Sequence, residues 1–163
     1  MNKHDVHKVV TAALFSRYET AKWAAKQAYE AATNEESVAE NKYDTFGLEA
    51  SYLAHGQSQR VLECEQDWLI FDKKQPILFK EEGEIDLWCL VTLTELESPY
   101  GTNKYFFISP CAGGLTVEIS ENKVYLVTPS SPVGKKLLGK VVGDAVELLQ
   151  NGKQTAYEIT TIE

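Results

Sequence analysis

Apolar positions in the first part of the chain recur in steps of three and four. Val6, Val9/Val10, Ala13, Ala21, Ala24/Ala25, Ala28 and Ala31/Ala32 trace one stripe, interrupted by the polar Arg17. A second stripe runs Phe46, Ala50, Leu53, Val61, Cys64 and Trp68, interrupted by Gln57. This is the period of an amphipathic helix. Between the stripes lies Thr33-Asn34-Glu35-Glu36-Ser37, a polar break rich in capping residues. Ser37 and Glu40 fit an S-x-x-E capping box that starts the second helix. The pattern predicts two long antiparallel helices joined by a tight turn. The first, of about 28 residues, would be roughly 42 Å long. The alanines let the two backbones approach closely. Gly47 and Gly56 each cost about 1 kcal/mol of helix propensity, so the second helix leans on its partner.

Further along, the period becomes strand-like. Ile85–Leu93, Lys104–Ser109, Leu115–Ile119, Lys123–Val127, Ala145–Leu149 and Thr155–Ile162 read as strands. Glu121-Asn122 is a hairpin-turn candidate, and Asn151-Gly152 a stronger one, closing the last two strands through a I′-type turn. One short helix interrupts, with Ser131 as N-cap, Pro132 at the first helical position and Gly139 as the stop. The expected fold is α+β: an N-terminal antiparallel helical hairpin (a coiled coil), then a small antiparallel sheet with one short helix across it.

Composition draws the same boundary. Residues 3–72 hold no proline and two glycines, whereas the rest holds all five prolines and eight of the ten glycines. The charged stretch before Pro76 places the division between residues 1–74 and 75–163. The 163 residues, 44% hydrophobic and 25% charged, suit one or two small folded domains. No apolar run is long enough to span a bilayer, and the charged N-terminus lacks a signal-peptide core. The net charge of −8 argues against a dedicated duplex nucleic-acid binder. Cys64, Cys89 and Cys111 are an odd set without a CxxC pair, which excludes a disulfide framework or a Cys-rich zinc site and fits reduced cytoplasmic thiols.

Charge also varies along the hairpin. Residues 1–29 carry five Lys/Arg against two Asp/Glu, and residues 30–44 carry five Asp/Glu against Lys42. Acidic side chains around Ser37 are favourable at a helix N-terminus, and that alone accounts for Glu36 and Glu40. A solvated acidic face is the ordinary reading of such a run.

Residues 131–148, Ser-Pro-Val-Gly-Lys-Lys-Leu-Leu-Gly-Lys and then Val-Val-Gly-Asp-Ala-Val-Glu-Leu, resemble the C-terminal signature of the Gre transcript-cleavage factors, GreA and GreB. Asn151-Gly152 and the strand after it match that signature's final hairpin. Upstream, Val38-Ala39-Glu40-Asn41-Lys42-Tyr43 stands where the family's hairpin tip carries its Glu-Asn pair. The resemblance covers nearly the whole chain in the same order.

It implies an FKBP-like C-terminal domain docked at the rim of the RNA polymerase secondary channel, with the hairpin reaching toward the polymerase active site. In cleaving members, a tip Asp and Glu three residues apart help hold a second Mg²⁺, and the polymerase hydrolyses a backtracked transcript. Such a factor is not itself an enzyme and has no cofactor of its own. Carried over, Glu40 and Glu36, with Glu35 behind them, would reach the Mg²⁺, and Ser131, Pro132, Gly139 and Lys140 would mark the partner-binding region. The sequence departs from the family at Ser37, where the tip Asp should stand, and at Glu36, which replaces the preceding Gly. The expectation is therefore a monomeric, cytoplasmic elongation factor that promotes cleavage or modulates the active site. The alternatives are a non-cleaving channel inhibitor or an interaction module for another protein.

Other residues read as structural. Cys111 has no evident pKa-lowering neighbour. His4 and His7 form a surface pair, too few for a metal site. Gly113-Gly114 fits no phosphate-binding motif. Trp68, Trp88, Phe106 and Phe107 are core or packing residues. Tyr29, Tyr43 and Tyr52 have no assigned task.

Overall fold

The computed structural model describes residues 1–33, 46–74, 83–96, 101–150 and 152–163. In chain order the elements are α1 (Lys3–Thr33), α2 (Phe46–Asp72), β1 (Leu90–Glu95), β2 (Asn103–Ile108), β3 (Thr116–Ile119), β4 (Asn122–Val127), α3 (Pro132–Leu137), β5 (Ala145–Gln150) and β6 (Lys153–Ile162). They fall into two compact units, Val10–Lys74 and Met1–Val9 with Gln75–Glu163.

The first unit is the helical hairpin. Its helices run antiparallel, since contacts descend α2 as they ascend α1. Phe15 and Tyr18 lie against Trp68, at 5.0 and 5.7 Å between ring centroids. The Tyr18 hydroxyl donates to Glu65 Oε1 at 3.2 Å. Ala21 and Ala24 then face the same hollow as Cys64 and Gln57. Ala21, Ala28 and Cys64 are buried, as the two stripes require, and Leu14 and Phe71 join them. The stripe weakens toward the far end, where Leu53 is exposed. The turn between the helices, with the proposed capping pair Ser37 and Glu40, lies outside the described residues.

The second unit begins with the first turns of α1. Asn2 caps them, its Oδ1 accepting from the His4 N–H at 2.8 Å. The remainder is a six-stranded sheet in the order β3-β4-β2-β1-β6-β5. Four pairings are antiparallel, as expected, but β2 and β4 are parallel. The connection after β2 runs past the neighbouring slot, and the β3–β4 hairpin folds β4 back into it. Alternate residues of the central strands are buried on opposite faces: Leu90 and Val91, Phe107 and Ile108, Leu126 and Val127. On one face Val91, Leu93, Ile108, Val127, Val146 and Ile159 pack with Leu137 of α3.

Two local expectations shift. The strand predicted over Ile85–Leu93 begins at Leu90, because residues 86–89 form a turn. Asp86 Oδ1 accepts from the Leu87 N–H at 2.7 Å, and Cys89 N–H closes onto the Asp86 carbonyl at 3.2 Å. This side chain offers the backbone a local alternative to the ladder. Trp88, at φ 73°, takes the left-handed position of that turn. The β3–β4 turn is Ser120-Glu121 rather than Glu121-Asn122, since Ile119 pairs with Asn122. The last hairpin pairs Gln150 with Lys153, so its loop comprises residues 151 and 152; Asn151 itself lies outside the described residues.

β5 ends the sheet, and its Glu147 carbonyl accepts from Lys136 Nζ at 2.7 Å. A lysine laid over an edge carbonyl blocks strand addition there.

Candidate partner-binding site

The short helix α3 starts as its sequence dictates. Ser131 Oγ accepts from the Gly134 N–H at 3.0 Å and donates to the Thr128 carbonyl at 2.7 Å. Pro132 occupies the first turn, where its missing N–H costs nothing. Gly139, at φ 74°, follows the helix as its stop.

Beside the start of α3 the sheet leaves a hollow of about 500 Å³. Phe106, Leu115, Tyr125, Ser131, Pro132 and Val133 line it, and the Phe106 and Tyr125 rings meet there at 5.7 Å. Its lining is overwhelmingly apolar. Such a surface suits an apolar side chain.

Of the four residues proposed for partner contact, Ser131 and Pro132 stand at this hollow. Gly139 and Lys140 do not line it. Their backbones pair with Ile85, the Gly139 N–H donating to its carbonyl at 2.9 Å and the Ile85 N–H donating to the Lys140 carbonyl at 2.8 Å. Ile85 is buried in the core, so this pairing ties the end of α3 to the chain entering the sheet. Glu35, Glu36 and Glu40 lie outside the described residues. Among the described residues, no three His, Cys, Asp or Glu side chains converge as a metal site would require.

The sequence pattern does not reveal the hollow. Phe106 reads as core or packing, and nothing in the sequence ties it to Tyr125. Only the parallel β2–β4 pairing makes them neighbours.

The histidine pair also differs from expectation. His4 is exposed, but His7 is buried, its ring 6.3 Å from that of Trp88. Trp88 in turn meets Phe107 edge-on at 6.3 Å. Burial holds the His7 imidazole below its ordinary pKa, with nearby His4 and Lys3 adding to the effect. Burial also lowers the Lys3 amine to about 8 and raises the Cys89 thiol.

No helix among the described residues is long and apolar enough to cross a membrane. No family model and no curated protein matches the chain. Among solved structures it is similar to the GreA factor homolog 1 (Gfh1) of Thermus thermophilus, at 22% identity over 94% of both chains with a TM-score of 0.40. It is also similar to Gfh1 of Thermus aquaticus, at 17% identity over 95% of this chain and 94% of that one, TM-score 0.42. A GreA/GreB elongation factor of Nitrosomonas europaea is 16% identical over 71% of this chain and 91% of its own, TM-score 0.37.

Proposed function

We propose that this chain is a divergent Gre-like transcription elongation factor, acting on RNA polymerase through its secondary channel. The observation that carries the reading is one chain holding two parts: a helical hairpin, and a sheet domain whose Ser131-Pro132 helix start opens on an apolar hollow. The sequence resemblance supplies the role of each part. The hollow receives an apolar side chain at the channel rim. The hairpin carries Glu36 and Glu40, with Glu35 behind them, toward the Mg²⁺ held at the polymerase centre. Carboxylate oxygens are hard ligands suited to Mg²⁺, and a second metal stabilises the attacking and leaving oxygens of phosphodiester hydrolysis. The protein adds ligands to a reaction that the polymerase performs.

One observation favours a second outcome at the same place. Ser37 stands where a cleaving factor carries its Asp, and a hydroxyl is a far weaker Mg²⁺ ligand than a carboxylate. In this version the chain occupies the channel and modulates the active site without cleavage. The deciding experiment adds the protein to backtracked elongation complexes and follows the RNA 3′ end. Shortening that is lost in Glu36→Ala and Glu40→Ala supports the cleaving version. Binding to polymerase without any shortening supports the modulator.

A further inference from the structure

One flank of the hairpin is an exposed apolar face. On α1, Phe15, Tyr18, Lys22, Lys26 and Tyr29 follow at steps of three and four, so the helix stacks them on one side. Phe15 and Tyr18 meet Trp68 of α2, and Lys22 Nζ lies 5.0 Å from the centre of the Tyr18 ring. Lys22 also borders a hollow of about 640 Å³ between Trp23 of α1 and Val61 and Leu62 of α2. Phe15, Trp23, Tyr29 and Leu62 are exposed. Single exposed apolar side chains are ordinary, but a contiguous run of them marks an interaction surface. We infer that this face pairs two copies of the chain about a two-fold axis parallel to the helices, as an antiparallel four-helix bundle.

Charge selects a second copy as the occupant. α1 carries five Lys/Arg against three Asp/Glu, whereas α2 carries Arg60 against five Asp/Glu. A two-fold axis along the hairpin lays α1 of each copy over α2 of the other, so a basic helix meets an acidic one twice. The two helices of each hairpin are antiparallel, so every neighbouring pair in the bundle is antiparallel as well, the arrangement of simple four-helix bundles. The same axis keeps equal heights together. Trp23 and Leu62 line one hollow, so the indole of each copy comes to Leu62 of the other. Lys22 lies over the ring of Tyr18, whose hydroxyl donates to Glu65, so Lys22 of one copy stands level with Glu65 of the other. Within its own chain Lys22 pairs with Glu19 at 2.9 Å and Lys26 with Glu30 at 3.7 Å. Both pairs are exposed and contribute little, so either lysine is free to turn toward the other copy. From Phe15 to Tyr29 the face is about 21 Å long, and two helices make it about 20 Å wide. A contact of that size is at the low end of specific interfaces, so the chain is monomeric when dilute and paired when concentrated. The inference does not rest on polymerase binding.

Sedimentation equilibrium of the full chain, from micromolar to submillimolar concentration, tests the pairing. The apparent mass is expected to rise from one chain toward two. Trp23→Ala and Leu62→Ala truncate the face at exposed positions without adding charge, and each should weaken association roughly tenfold or more. Lys22→Glu sets like charges against each other and should weaken it too. Circular dichroism matching the parent shows that each variant is folded. A chain that stays monomeric at every concentration overturns the inference. So does a dimer that withstands both Trp23→Ala and Leu62→Ala, since it would be built on another surface.

Discussion

Gly134 packs its bare Cα against the backbone carbonyl of Thr128, so closely that a Cβ there would collide with it. The same carbonyl accepts the Ser131 hydroxyl and N–H, which fixes the loop and the helix start as one unit. Alanine at 134 must therefore push α3 away from the sheet. Gly134→Ala is expected to lower stability by about 1–3 kcal/mol, the usual cost of overpacking a rigid contact. Urea denaturation of parent and variant measures it. Because α3 also walls the hollow at Pro132 and Val133, the proposed binding to polymerase should weaken along with stability.

The β3–β4 turn offers a gain instead. Ser120 and Glu121 sit at φ 48° and 68°, the left-handed conformation that a I′ turn demands and that non-glycine residues other than Asn and Asp adopt reluctantly. The double substitution Ser120→Asn, Glu121→Gly places the preferred pair at the same angles. It should raise stability by about 1 kcal/mol, seen as a later urea midpoint with unchanged slope.

His7 makes stability depend on pH on the acid side. Its folded pKa lies below the ordinary 6.5, so the unfolded chain takes up the proton first as pH falls. The neutral ring's contribution is complete above 6.5, shrinks as pH drops below it, and levels off under the folded pKa. Urea midpoints measured on both sides of 6.5 should fall toward acid in the parent, and this part of the fall should vanish in His7→Gln. An unchanged slope in the variant would assign the acid sensitivity elsewhere.

Much of this architecture is legible in the residues themselves. Ser131, Pro132 and Gly139 bound α3 because capping chemistry is local and depends little on the rest of the fold. The helix stripes are readable for the same reason: Val10, Ala21 and Ala28 of α1 are buried at spacings of eleven and seven, which a helix brings to one face. What escapes the sequence is set by partners distant along it. A mostly apolar stretch over 85–93 reads as one strand and does not reveal that Asp86 folds a turn within it. The parallel β2–β4 pair, and with it the Phe106–Tyr125 hollow, follows from where a hairpin inserts rather than from any alternation. His7 reads as a surface residue on a charged helix start, and only Trp88, some eighty positions on, shows that it is enclosed. Trp23, which no sequence pattern singles out, is 66% exposed beside the hollow it forms with Val61 and Leu62.

In the proposed function the hairpin enters the polymerase secondary channel with residues 35–40 leading. The direct measurement places a photoreactive amino acid at Val38, binds the variant to an elongation complex and maps the crosslink on the polymerase. A crosslink to segments around the catalytic Mg²⁺ is expected, lost when unmodified protein is added in excess. Tight binding with crosslinks only on the outer surface, or no binding to core polymerase at all, would contradict it.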